Sequence, residues 1–222
     1  MYFEKTQPAP ASLAAKTSWR GEDVLLRLQE DFCNKCYICE AKEITSINVE
    51  HFLPHKGSDA LKYDWMNLFF VCGHCNNTKL AKSVYDGILN CTNADHKVTD
   101  WIKYVYDNSD FSKTKVIISE VVSKAGVTPT IELLSDVYNG IDTAHKKMES
   151  GNLRKLLGRE LAEFSALLAK FYLDGDITEA ERIDTSEALK LHLYKSTPFT
   201  AFKIWMIRGK ESYMADFSAF LA

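Results

Sequence analysis

Two Cys-x-x-Cys pairs constrain this chain more than any other feature of its sequence. The first pair is Cys36 and Cys39, and the second is Cys72 and Cys75. Four thiolates in two such pairs are a frequent ligand set of a tetrahedral structural zinc ion, because thiolate is a soft, anionic ligand. Residues 40–71, which separate the pairs, are numerous enough for a strand–loop–strand insert. The spacing therefore predicts one zinc site that folds this segment back on itself.

Two alternatives to this ligand set stay open at the level of the sequence. Cys33 forms another Cys-x-x-Cys pair with Cys36 and could replace one ligand. Four reduced, buried cysteines without a metal would also produce the pattern, because free cysteine packs as a small hydrophobic residue. We favour the pair Cys36 and Cys39 because it leads more directly into the strand predicted to follow it.

The composition is that of an ordinary globular chain. Of the 222 residues, 46% are hydrophobic and 26% are charged, which is sufficient for a buried core without additional cross-links. The formal net charge of −3 argues against a protein that coats nucleic acid through bulk electrostatics, although a local basic groove remains compatible with it. No apolar run is long enough for a membrane span or a signal peptide, so we expect a cytoplasmic protein.

Hydrophobic periodicity and turn residues predict an α+β chain. Residues 1–20 form a proline-containing arm, residues 101–106 are helical or irregular, and the predicted strands lie at 46–52, 67–72 and 115–122. The predicted helices lie at 21–32, 76–82, 131–138, 141–173, 177–194 and 199–221. We therefore expect three parts: an arm with one helix (1–32), a zinc-centred module (33–106) and a mainly helical domain (107–222).

Polar side chains suited to chemistry lie between and beside the cysteine pairs. Glu50 and His51 end one predicted strand, and Asn67 begins the next. Asn76 and Lys79 share one face of the helix that follows. A histidine base, oxygen ligands for a divalent cation and a lysine near phosphate would suffice for phosphodiester hydrolysis. The alternative is that the histidine is a core residue and that the asparagines cap turns and helices.

These residues together carry a resemblance to a known family. The series Glu50-His51, Pro54, Asn67-Leu68, Cys72-x-x-Cys75-Asn76-x-x-Lys79 resembles the cysteine-flanked HNH endonuclease motif and its ββα-metal fold. The resemblance covers residues 36–82. Glu50 stands where the motif usually has aspartate, and Asn76 stands where it usually has its last histidine, as in H-N-N variants. Both residues retain an oxygen ligand suited to Mg²⁺ or Mn²⁺.

The resemblance implies a role for each of these residues. His51 would be the general base that activates water, and Lys79 would contact phosphate. Glu50 and Asn76 would bind one catalytic Mg²⁺ or Mn²⁺, while Asn67 would orient the base or brace the loop. The zinc ion on the four cysteines would be structural. The expected products are a 5′-phosphate and a 3′-hydroxyl.

The order of the predicted parts is similar to that of one HNH subgroup, the effector subunits of Septu-type and retron-associated antiphage systems. This layout implies antiviral defence in a complex with an ATPase subunit, with or without a reverse transcriptase and its RNA/DNA product. The expected reaction is endonucleolytic cleavage of DNA first and of RNA, such as tRNA, second. Two alternatives are a non-catalytic, zinc-stabilised adaptor or binding module and a nuclease-fold toxin that acts on a cellular RNA.

Three further features receive other assignments. His55 is predicted to be a solvated loop histidine, although it could lie near a cation or a phosphate. His74, inside the second cysteine pair, is predicted to point away from the zinc. The strongly apolar segment 199–221 either lies deep in the helical bundle or docks a partner in part.

Overall fold

Two antiparallel hairpins surrounded by helices make up the computed structural model, which describes residues 2–42, 44, 46–80, 82–110 and 114–221. The strands are β1 (Ile47–His51), β2 (Leu68–Cys72), β3 (Ile102–Asp107) and β4 (Lys115–Glu120). The helices are α1 (Ala11–Ala14), α2 (Glu22–Asp31), α3 (Asp59–Lys62), α4 (Gly73–Lys79), α5 (Val98–Trp101), α6 (Val127–Asn139), α7 (Ala144–Leu173), α8 (Glu179–His192), α9 (Thr200–Arg208) and α10 (Glu211–Phe217). The α+β class expected from the sequence is confirmed.

The first hairpin and the helix after it form a strand–strand–helix unit. β1 pairs antiparallel with β2, with Glu50 opposite Phe69 and His51 opposite Leu68. Every residue of β2 is buried, as its uninterrupted apolar sequence predicts. α4 begins directly after β2 and packs against both strands. The strands predicted at 46–52 and 67–72 are confirmed, and the predicted helix begins three residues earlier than residue 76.

The second hairpin corrects one prediction from the sequence. Residues 101–106 were predicted to be helical or irregular, whereas β3 occupies Ile102–Asp107 and pairs with β4. Ile102 and Tyr104 alternate on the buried face of this strand, and such β-branched and aromatic residues favour a strand once a partner is present. The partner is the strand predicted at 115–122, which the structure confirms over Lys115–Glu120.

The helical part follows the predicted order with two further corrections. Thr143 caps α7 by accepting a hydrogen bond from the Lys146 amide, so the long helix begins later than predicted. The single helix predicted at 199–221 is divided into α9 and α10. The break lies at Gly209 and Lys210, where glycine lowers helix propensity and the lysine backbone is extended. Within the described ranges, no helix combines the length and apolar character needed to cross a membrane.

One hydrophobic core joins the zinc-centred module to the helical part. It includes Phe3 from the arm, Phe70 from β2, Tyr138 from α6 and Phe202 from α9. A second core lies between the C-terminal half of α7 and helices α8–α10. The boundary expected between residues 33–106 and residues 107–222 therefore falls inside the first core. The first core ends and the second begins within α7.

The segment that follows the first cysteine pair is also tied directly to the helical part. The Tyr138 hydroxyl donates to the Cys39 carbonyl over 2.7 Å. The Glu40 carboxylate accepts the Ala201 amide over 3.1 Å, at the N-terminus of α9, where the helix dipole favours negative charge. These bonds fix the cysteine-bearing turn to α6 and α9.

The N-terminal arm is an integral part of the first core. Phe3 is buried, and its amide donates to the Cys91 carbonyl over 2.8 Å. Lys5 is also buried, and its ammonium donates to the carbonyls of Trp65 and Leu68. The same ammonium lies 4.3 Å from the centre of the Trp65 ring, a cation–π contact. Burial lowers the pKa of Lys5 to about 7.

Lys5→Met is expected to change how the free energy of unfolding depends on pH. Between about pH 7 and 10.5 the unfolded chain binds a proton at this lysine that the folded chain does not. The stability of the parent should therefore rise with pH relative to the variant, by at most about 1.4 kcal/mol per pH unit. Urea unfolding at pH 7, 8 and 9 measures the difference. Lys97→Met, at an exposed lysine, serves as control. If the difference in the free energy of unfolding between the parent and Lys5→Met did not change with pH, the lowered pKa of a buried Lys5 would be contradicted.

Candidate metal centre and candidate active site

The four predicted zinc ligands converge in the structure. The sulfur atoms of Cys36, Cys39, Cys72 and Cys75 are all buried and lie within 4.8 Å of one another. The Cys39 and Cys72 sulfurs are 3.9 Å apart. Four sulfurs placed tetrahedrally at about 2.3 Å from zinc would be about 3.8 Å apart. The cluster can therefore hold a structural metal ion such as zinc, and Cys33 lies outside it.

Local backbone geometry sets up this cluster. Cys36 and Cys39 flank a turn in which the Glu40 amide donates to the Cys36 carbonyl. Cys72 ends β2, caps α4 and accepts the Cys75 amide on its sulfur at 3.4 Å. Hydrogen bonds from the neighbouring thiols hold the pKa of Cys72 far below its usual range, while burial raises that of Cys75. A bound divalent cation would supply the positive charge that buried thiolates need.

Glu50 and Lys79 form a buried ion pair. The Lys79 ammonium lies 2.9 Å from Glu50 Oε1 and donates to the Phe52 carbonyl over 3.0 Å. The Tyr37 hydroxyl donates to Glu50 Oε2 over 2.9 Å. Burial raises the pKa of Glu50, and the charge of Lys79 opposes that rise. The structure therefore pairs Glu50, the predicted cation ligand, with Lys79, the predicted phosphate contact.

His51 has one bonded and one unbonded ring nitrogen. Its Nε2 lies 3.0 Å from the Lys62 carbonyl oxygen. A carbonyl only accepts hydrogen bonds, so Nε2 carries the proton of the neutral ring and Nδ1 keeps its lone pair. Nδ1 makes no hydrogen bond with any residue that the structure describes. Half-burial lowers the pKa of His51, which favours this neutral form.

Strand geometry separates the roles of the two neighbouring residues. Successive side chains of β1 point to opposite faces, so Glu50 faces α4 while His51 faces the open side. There the Trp19 ring lies 4.6 Å from the His51 ring, centre to centre, and the His55 ring lies at 4.7 Å. His51 is therefore in contact with two rings, neither of which belongs to its own strand.

Asn67 braces the loop between the first two strands. Its side-chain oxygen accepts the Leu53 amide over 2.7 Å, and its Nδ2 donates to the carbonyls of Leu53 and Leu61 over 2.9 and 3.0 Å. Leu61 precedes Lys62, whose carbonyl contacts His51. Asn67 can thus position His51 through the backbone, and it has no direct contact with the imidazole among the described hydrogen bonds.

Asn76 lies in α4, one turn before Lys79, and its side chain is part-exposed. That side chain makes no hydrogen bond within the described part of the chain, so its amide oxygen is available to a ligand. Of the two predicted cation ligands, Asn76 fits that role. Glu50 does not fit as it stands, because a lysine ammonium already compensates its charge. The cysteine cluster is the one group of three or more His, Cys, Asp or Glu ligands found among the described residues.

Three residues near the site were not assigned a functional role from the sequence. Trp19 reaches His51 from the arm, and Tyr37 reaches Glu50 from inside the first cysteine pair. No local pattern links either residue to its partner. His55 was predicted to be a solvated loop histidine, but it contacts the catalytic candidate. One sequence signal for this contact was available: His55 directly follows Pro54, and Pro54 ends the strand that carries His51.

His74 occupies a structural position. Its Nε2 donates to the Val137 carbonyl over 2.8 Å, and its Nδ1 lies 3.2 Å from a carboxylate oxygen of Glu149. The ring therefore points away from the cysteine cluster, in agreement with the sequence-based prediction, and joins α4 to α6 and α7.

Comparisons with known proteins do not assign this chain to a family. No protein-family model matches the sequence, and no curated protein matches it. The functional interpretation consequently depends on the geometry of the site and on the resemblance of its motif.

Replacing both members of the Glu50–Lys79 pair is expected to cost less stability than replacing Glu50 alone. Glu50→Leu leaves a buried ammonium without its counter-charge and should destabilise the fold by about 3–5 kcal/mol. The double variant Glu50→Leu/Lys79→Met should recover most of this loss, because apolar residues then fill the same space.

Chemical unfolding of the parent and both variants measures this coupling. The exposed Glu187, which pairs with Lys190 on α8, provides the control: Glu187→Ala should change stability by less than about 1 kcal/mol. A Glu50→Leu variant as stable as the parent would show that the pair is not a structural element.

Proposed function

We propose that this chain is a metal-dependent endonuclease of the HNH type that hydrolyses phosphodiester bonds, of DNA first and of RNA second. The observation that carries the proposal is the tethered His51, whose Nδ1 is free while its Nε2 is bonded to the Lys62 carbonyl. The strand–strand–helix order around it supports assignment to a ββα-metal fold. The four-cysteine cluster clamps this unit as a structural zinc site would.

The chemistry proposed for His51 is general-base catalysis. Nδ1 takes a proton from the water that attacks phosphorus, and the Lys62 carbonyl stabilises the imidazolium that results. Asn67 keeps this carbonyl in place by holding the adjoining residue. The neutral form, which half-burial favours, is the form that can accept the proton. The expected products are a 5′-phosphate and a 3′-hydroxyl.

A catalytic Mg²⁺ or Mn²⁺ belongs to this proposal. When bound, such an ion supplies a Lewis acid for the scissile phosphate. Asn76 is the side chain with a free oxygen for it, while Glu50 would join only if the cation replaced Lys79 at the carboxylate. The roles of Glu50 as ligand and of Lys79 as phosphate contact are therefore the least supported parts of the motif.

The place of this nuclease in an antiviral complex is a further part of the proposal. It derives from the similarity of the layout to HNH effectors that work with an ATPase subunit. The net charge of −3 is compatible with a nuclease to which a partner presents the substrate. The proposal includes association with such a subunit, with or without a reverse transcriptase product, in the cytoplasm.

A non-catalytic adaptor is the second candidate, and one observation favours it. The closed Glu50–Lys79 pair removes two of the five motif side chains from contact with a substrate. An adaptor needs the cysteine cluster as a scaffold, and its function does not depend on the free Nδ1 of His51. The two candidates therefore differ in what they predict for a His51 variant.

His51→Ala is expected to lower the cleavage rate at least about 100-fold, because a general base contributes about 10²–10⁴-fold. Zinc-loaded protein, with and without the ATPase subunit, is incubated with duplex DNA, single-stranded DNA and tRNA in Mg²⁺ or Mn²⁺. The control is His145→Ala, at an exposed histidine of α7. Equal cleavage rates for the parent and His51→Ala would refute the assignment of His51 as the general base. A folded parent that cleaves none of these substrates would support the adaptor.

A further inference from the structure

His55, the loop histidine beside the proposed base His51, has hydrogen-bonding properties that complement those of His51. The Gly57 amide donates to Nδ1 of His55 over 3.2 Å. An amide N–H cannot accept a hydrogen bond, so Nδ1 is unprotonated and the ring proton of neutral His55 lies on Nε2. That Nε2 has no partner among the residues described. The two rings therefore present a free acceptor at His51 and a free donor at His55.

The loop backbone holds this tautomer in place. Gly57 has φ +86°, a left-handed conformation that glycine adopts without strain. The preceding Lys56 also has a positive φ, and the two residues turn the chain so that the Gly57 amide points back at the imidazole. Pro54 limits the freedom of the loop on its other side. The donor nitrogen of His55 is thus directed by backbone geometry.

The surroundings of the two rings suit an anion. The His51 and His55 rings are 4.7 Å apart at 56° to each other, so they are in contact without being stacked. The Trp19 ring also contacts His51, and the Arg20 guanidinium lies 4.9 Å from the Trp19 ring. The nearest carboxylate of the motif, Glu50, is on the opposite face of the strand and is compensated by a lysine. A phosphate beside the two rings would meet the His55 donor.

We propose that His55 is a second catalytic residue, which donates its Nε2–H to a non-bridging oxygen of the scissile phosphate. An in-line displacement puts the leaving oxygen on the side of phosphorus opposite the attacking water. Because the His55 ring contacts the base His51, it lies on the same side of phosphorus as the attacking water. From that side it reaches a non-bridging oxygen. There the donor stabilises the charge that develops as the water adds. The inference rests on the proposed nuclease function of His51.

The proton balance does not change under this proposal. Water forms the new bond to phosphorus, the bond from phosphorus to the 3′ oxygen breaks, and His51 takes the proton of the water. His55 donates a hydrogen bond and keeps its proton throughout. The 3′ oxygen receives a proton from solvent, and His51 returns its proton to solvent before the next turnover.

Loss of the donor is expected to slow cleavage selectively. His55→Ala should lower kcat/KM at least about tenfold, and His55→Gln should recover part of this because its amide can also donate. His145→Ala, at an exposed histidine of α7, is the matched control and should cleave like the parent. A His55→Ala variant that cleaves at the parent rate, alongside an inactive His51→Ala, would overturn the inference while leaving the nuclease in place. A parent without any cleavage would overturn both.

Sulfur substitution at the phosphate separates a direct contact from a structural effect. Each of the two phosphorothioate diastereomers replaces one non-bridging oxygen by sulfur, a weaker hydrogen-bond acceptor. One diastereomer should slow the parent at least about threefold more than it slows His55→Ala, because the variant has no donor to lose. Identical sulfur effects in parent and variant would exclude contact with either oxygen. Nitrogen-15 NMR of the parent should show His55 protonated on Nε2, and the opposite tautomer would overturn the inference without any cleavage assay.

Discussion

The convergence of four thiols is the constraint on which the rest of this structure depends. They join the turn after α2 to the end of β2 and the start of α4, and they do so in a fully buried position. A metal ion bound to the four sulfurs would cross-link these segments. Because Tyr138 and Glu40 bond the same turn to α6 and α9, the cluster also orients the helical part relative to the first hairpin.

Alternation along one short strand then divides the motif into two environments. Glu50 enters the side that α4 covers, where burial without a counter-charge would be costly, and Lys79 provides that charge. His51 enters the open side, where a backbone carbonyl and two aromatic rings hold it. Residues adjacent in sequence thus serve the interior and the surface. Residues that the sequence groups in one motif therefore separate into a buried ion pair and a half-buried imidazole.

The predictable part of this protein is the part encoded by local spacing. The cysteine pairs, the apolar run of β2 and the caps of the long helices can be read within a few residues of sequence. β3 was missed because its preference for a strand depends on pairing with β4, which begins further along the chain at Lys115. The environments of Lys5 and Trp19, and the contact of His55 with His51, were not predicted for a related reason. Their environments are made by segments distant in sequence, or by backbone turns that no side-chain pattern specifies.

X-ray absorption at the zinc edge of the purified protein tests the central claim most directly. The account predicts about one zinc per chain with four sulfur neighbours at about 2.3 Å and no nitrogen or oxygen neighbours. Removal of that zinc should unfold the first hairpin together with α4, because the cluster joins them. A metal-free protein with an unchanged unfolding transition, or zinc with mixed nitrogen and sulfur neighbours, would contradict the account.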